Sequence, residues 1–115
     1  MNQKKSVNPI PLSLRDKKRY LVFELISEKN LRESEVSFVF KNHLMKLFGS
    51  LGLSKMNYQF IGFNEKNGKG ILKCRHTAVE DLKAGILLLK EVNGINVIPK
   101  TLKTSGTVKK AKTFI

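Results

Sequence analysis

Cysteine is almost missing from this sequence. Cys74 is the only one, so no intrachain disulfide can form, and the chain fits a reducing, cytoplasmic setting. Long apolar runs are missing as well. Nothing approaches the ~20 residues needed to cross a bilayer, so no membrane partner is expected. The N-terminus is charged but has no apolar stretch behind it, which argues against a signal peptide. Histidine is limited to His43 and His76. His76 and Cys74 share a face at strand spacing, but two donors make no metal site and no second pair exists. We therefore expect no metal site and no cofactor bound by the protein.

Acids are the other scarcity. Nine Asp+Glu face 22 Lys+Arg, a formal net charge of +13. Such an excess works against a compact state through self-repulsion and points to a polyanionic partner. A merely basic protein would spread its charge, and this one does not. Residues 1–19 hold Lys4, Lys5, Arg15, Lys17, Lys18 and Arg19 against Asp16 alone. Residues 66–76 and 95–115 hold cations and no acid, whereas residues 24–35 hold Glu24, Glu28, Glu33 and Glu35. Segregation of this kind suggests one face for nucleic acid and another for a different partner.

What is present suits one small domain. The chain has 115 residues, 41% of them hydrophobic, enough for a single core. Residues 1–16 lack periodicity, contain Pro9 and Pro11, and read as a flexible basic arm. The domain is expected over 17–115. Residues 17–28 read as a strand, and 31–51 as a helix with Val36, Val39, Phe40, Leu44, Leu47, Phe48 and Leu51 at helical spacing. Asn30 with Glu33 is a candidate capping box, and Gly49 and Gly52 mark the expected end. Residues 56–64 and 69–76 read as strands about an Asn67-Gly68 turn. Thr77 with Glu80 suggests a second capping box, opening a helix closed at Asn93-Gly94. Residues 95–105 read as the last strand, and 107–115 as a basic tail able to form a short helix.

The order strand-helix-strand-strand-helix-strand predicts an α+β, ferredoxin-like sandwich. Its four-stranded antiparallel sheet should run 4-1-3-2, with both helices on one face. Pro99 agrees, because proline cannot donate to a ladder and belongs on an edge strand.

No catalytic constellation emerges. His43 lies in the apolar stripe of the first helix and reads as structural, and Cys74 reads as a small buried residue. Gly68-Lys69-Gly70 falls in a hairpin rather than the strand-loop-helix setting of a phosphate loop, so its glycines are assigned to the turn. Glu80 and Asp81 are explained by the helix dipole. A phosphate-hydrolysing enzyme on the same fold would need an Arg and an Asn converging on one phosphate. Arg75, Asn57 and Asn64 exist, but no arginine sits in a recognisable anion-binding loop.

RNA binding fits better. Alternation puts Leu72 and Cys74 toward the helices, and Lys69, Ile71, Lys73 and Arg75 outward. On the first strand Leu21, Phe23 and Leu25 should face inward, leaving Tyr20, Val22 and Glu24 beside those cations. The third strand lacks the aromatic signature of an RNA-recognition motif. Backbone contact to a structured RNA is therefore expected over base stacking. Candidate contacts are Arg19, Tyr20, Lys69, Lys73, Arg75, Lys103, Lys109, Lys110 and Lys112. The apolar part of the outer face calls for a cover, either the tail or a protein partner.

Three segments carry a family resemblance: Arg19-Tyr20-Leu21-Val22-Phe23-Glu24-Leu25, Gly70-Ile71-Leu72-Lys73-Cys74-Arg75 and Ser105-Gly106-Thr107-Val108-Lys109-Lys110. In order and spacing they resemble the small protein subunit of archaeal and eukaryotic ribonuclease P, called Pop-five or ribonuclease P protein component two. The resemblance implies an RNA-recognition-like α/β sandwich that supplies no catalytic side chain. It implies pairing with a larger, barrel-shaped, thirty-kilodalton protein subunit, and a homodimer within a heterotetramer. It implies support for the ribonuclease P RNA, which with magnesium cleaves the 5′ leader from precursor tRNA. The alternative from a different class is a module of another ribonucleoprotein, such as a ribosomal protein.

Overall fold

The computed structural model describes residues 17–115; the arm expected over residues 1–16 lies outside the described residues. The element order is β1 (Lys18–Ile26), α1 (Glu33–Met56), β2 (Gln59–Asn64), β3 (Lys69–Arg75), α2 (Val79–Leu87), β4 (Glu91–Val92), β5 (Ile95–Asn96), β6 (Ile98–Ser105) and α3 (Val108–Lys112). Four strands form one antiparallel sheet in the order β2-β3-β1-β6, and β4-β5 is a separate ribbon. This is the expected 4-1-3-2 sheet, with Pro99 on the edge strand β6 opposite Leu25.

Phe23 holds the centre. Its ring lies 4.8 Å from Phe40 of α1, 6.2 Å from Phe63 and 6.3 Å from Phe60 of β2. Leu21, Leu72, Cys74, Leu82 and Ile86 complete the core between sheet and helices. His43 reaches across the helix pair, its Nε2 2.7 Å from the Gly85 carbonyl. A second, smaller core lies on the other side of the sheet. Val22, Ile71 and Ala111 are buried there, with Tyr20, Ile61 and Ile115 packed around them. The tail is thus a cover for the outer face: α3 lays Ala111 on the two central strands.

Local details depart from the sequence reading. Helix α1 does not end at Gly49. The backbone breaks there, at φ 74°, and resumes to Met56, because Leu53 and Met56 still have apolar surface to bury. The chain then leaves the helix at Asn57 in the left-handed conformation. Neither expected capping box forms, as the cap positions fall at Arg32 and Ala78 without side-chain caps. A carboxylate from a distant turn does the first job: Glu65 accepts the Glu33 N–H at 2.7 Å. Glu33 in turn accepts the Phe63 N–H at 3.0 Å, tying α1 to the edge strand β2. Helix α2 ends at Leu87, well before Asn93-Gly94. Those two residues, at φ 50° and 84°, turn the β4-β5 hairpin, as Asn-Gly does at tight hairpins.

Gly70 also needs a different explanation. Only Gly68, at φ 72°, serves the turn. Gly70 sits opposite Phe23, where a Cβ would meet the Phe23 ring at 2.5 Å and the Gly62 carbonyl at 2.8 Å.

Candidate nucleic-acid interface

The outer face is assembled by register. Strand β1 contributes Lys18, Tyr20, Val22 and Glu24, which pair in β3 with Arg75, Lys73, Ile71 and Lys69. In β6 the pairing shifts between Val22 and Phe23, so that Lys103 faces Val22 and Thr101 faces Phe23. The residue squeezed out is Leu102, a β-bulge. Such a bulge reverses the alternation beyond it. Without it Lys103 would point to the helix side; with it Lys103 and Lys100 both face outward. The Lys103 ammonium then stands 5.8 Å from the centre of the Phe114 ring, a cation–π contact to the end of the tail.

The Ser105-Gly106-Thr107 segment builds the turn that brings the tail back. The Ser105 hydroxyl donates to the Thr107 carbonyl at 3.0 Å and accepts the Thr107 N–H at 3.3 Å. Thr107 then caps α3, its hydroxyl accepting the Lys110 N–H at 3.2 Å. Because Ala111 faces the sheet, exposed Lys109, Lys110 and Lys112 are carried over the outer surface.

Eight of the nine expected contact residues therefore lie on the outer face or on the helix that covers it. Arg19 is the exception. It pairs with Cys74 and so belongs to the helix side, with its guanidinium donating to the Lys18 carbonyl at 2.9 Å. Tyr20 is outward but half-buried beside Ala111 rather than presented as an open stacking platform. Lys18 and Lys100 were not among the expected contacts. The alternation Lys18-Tyr20-Val22-Glu24 carried the signal for Lys18. Across β1, β3, β6 and α3, nine cations share this face with one acid, Glu24.

Among the described residues, several side chains considered for other chemistry are engaged elsewhere. Among the described residues no group of three or more His, Cys, Asp or Glu is placed to hold a metal. Burial pushes the Cys74 thiol above its ordinary range, which makes it a poor nucleophile. Asn64 is committed to its turn, its Oδ1 accepting the Lys66 N–H at 3.0 Å. The acidic stretch is partly internal: besides Glu33, the Glu35 carboxylate accepts a hydrogen bond from Asn93 at 2.9 Å. Among the described residues no helix is long and apolar enough to cross a membrane.

The family model described as the Rpp14/Pop5 family matches residues 19–115. The chain belongs to the Rpp14/Pop5 family. Ribonuclease P protein component 2 of Thermococcus gammatolerans is 38% identical over 103 residues, covering 90% of this chain and 86% of the relative. The protein of the same name from Methanosarcina mazei is 40% identical over 99 residues, covering 86% of this chain and 84% of the relative. Among solved structures, a chain in the cryo-EM structure of yeast ribonuclease MRP aligns with a TM-score of 0.64 at 11% identity, over 87% of this chain and 86% of that one. At that identity the likeness is one of fold. The Rpp14/Pop5 match takes in β1 from Arg19 onward together with β3, β6 and α3, the elements that build the outer face.

Proposed function

We propose that this Rpp14/Pop5 protein is a non-catalytic subunit of ribonuclease P that binds the catalytic RNA and supports removal of the 5′ leader of precursor tRNA. The observation that carries this reading is the outer face, which among the described residues carries nine cations and one acid, Glu24. Phosphodiester backbone is the partner that such a surface fits, and Lys and Arg on rigid strands position RNA by its shape. Half-buried Tyr20, with Val22 and Ile71 under α3, favours backbone contact over base stacking on the sheet.

Magnesium belongs to the RNA in this reading, and the protein neutralises phosphates so that the RNA folds compactly. The protein partner is the larger, barrel-shaped, thirty-kilodalton subunit of the same enzyme, with two such pairs joined as a heterotetramer, acting in the cytoplasm. Reconstitution tests the reading. Addition of this chain with that partner should raise precursor-tRNA cleavage by archaeal ribonuclease P RNA. With six or more phosphate contacts, affinity for the RNA should fall ~10³-fold or more between 50 and 200 mM salt. Unchanged cleavage together with salt-independent affinity would refute it.

A further inference from the structure

Seven Phe and two Tyr are the aromatic side chains of this protein, and Trp is absent. Most of the rings pack inward. Phe23, Phe40 and Phe63 are buried, Phe48, Phe60 and Tyr58 pack against the same core, and Tyr20 packs against the smaller core under α3. Two rings are left exposed, Phe38 at 65% and Phe114 at 37%. A lone apolar side chain in water is ordinary on a protein surface. Phe38 is of that kind, on α1 and across the sheet from the outer-face cations. Phe114 stands among those cations.

The tail holds this ring in place. Past α3 the Thr113 N–H donates to the Lys110 carbonyl at 3.2 Å, and the Phe114 N–H donates to the Ala111 carbonyl at 3.1 Å. The Thr113 hydroxyl donates to the same Lys110 carbonyl at 2.7 Å. Ala111 before the ring and Ile115 after it both pack with Val22 and Ile71. Phe114, three residues beyond Ala111, therefore lies at the rim of the contact between tail and sheet. There the Lys103 ammonium stands 5.8 Å from the ring centre. Exposed Lys109, Lys110 and Lys112 precede the ring along the tail.

A cation–π pair at an exposed site is weak. A single-stranded nucleotide offers both partners something stronger, a base for the ring and a phosphate for the ammonium. Aromatic rings beside a basic surface are the means by which proteins hold single strands. We infer that Phe114 is the stacking platform for one unpaired base of the RNA, with Lys103 taking that nucleotide's phosphate. The inference rests on the RNA-binding reading and deepens it. The sheet cations take the backbone of a folded RNA, and the tail takes one unpaired nucleotide beside it. The aromatic contact sits on the tail because α3 covers Tyr20 on the sheet.

The test uses the full chain and a transcript of archaeal ribonuclease P RNA, with affinity measured against salt concentration. Phe114→Leu keeps an apolar side chain and removes the ring. It should weaken binding about tenfold, as the loss of one stack does. The slope of log affinity on log salt should stay unchanged, because no charge is lost. Lys103→Gln should instead lower that slope by about one. Phe38→Leu should bind as the unaltered chain does. Phe114→Trp restores a stacking ring and places the sole Trp in the chain. Its affinity should match the parent, and its fluorescence should be quenched as RNA binds. Full affinity in Phe114→Leu, or an unquenched Trp at saturating RNA, would overturn the platform and leave the RNA-binding reading in place. Weakened binding in Phe114→Leu together with faster hydrogen exchange over residues 107–115 would overturn it too, by making the ring a prop for α3. Failure of the unaltered chain to bind the transcript would remove both readings.

Discussion

Single residues in this protein are fixed by what stands opposite them. Gly70 is a glycine because Phe23 fills the space its side chain would need, and the Gly62 carbonyl closes the other side. Gly70→Ala should therefore cost about 1–3 kcal/mol, the usual range for overpacking a tight core; denaturant unfolding measures it. Tyr58 behaves in the opposite sense. Its hydroxyl is buried with no hydrogen-bond partner, and burial pushes the phenol far above its ordinary range. A group raised in the folded state contributes stability below its unfolded pKa, near ~10, and loses it as pH rises beyond that. Tyr58→Phe should equal or exceed the parent by up to ~1 kcal/mol at neutral pH, and its advantage should widen above pH ~10. Paired thermal melts across that range check the sign. These properties were not legible in sequence: glycine beside a turn reads as part of the turn, and an unpartnered hydroxyl leaves no pattern.

Elements were legible where periodicity and burial agree. The order of the main elements, the faces of β1 and β3 and the edge position of Pro99 all follow from alternation and the absence of a proline N–H. Boundaries followed less well, because tertiary partners decide them. Gly49 interrupts α1 without ending it, since Leu53 and Met56 find core space beyond the break. Asn93-Gly94 can cap a helix or turn a hairpin, and Val92 buried opposite Ile95 selects the hairpin. The Leu102 bulge is a matter of pairing with β1, so its effect on Lys103 has no signature within β6 itself. Helix α3 is too short to be stable alone and depends on Ala111 against Val22 and Ile71. Ala111→Glu buries an unpaired charge at that contact, so α3 should detach. Hydrogen exchange should then speed up selectively over residues 107–115. An unchanged exchange pattern there would show that α3 is held by other contacts.

At the scale of the whole molecule, the surplus of +13 singles out a surface only once the sheet places it. Helices α1 and α2 also carry lysines, but they share their side of the molecule with Glu33, Glu35, Glu80 and Asp81. Among the described residues the outer face carries nine cations and a single acid, Glu24, and its own tail covers the apolar strip at its centre. Composition alone pointed to a polyanion, and the strand order and the tail's return gather the cations on the surface that the proposed function assigns to it. The most direct measurement is amine-reactive labelling of lysines, read by mass spectrometry, with and without archaeal ribonuclease P RNA. Lys18, Lys73, Lys103, Lys109, Lys110 and Lys112 should become protected, while Lys41, Lys46 and Lys55 on α1 stay reactive. Protection of the α1 lysines with the outer-face set still labelled would contradict the account.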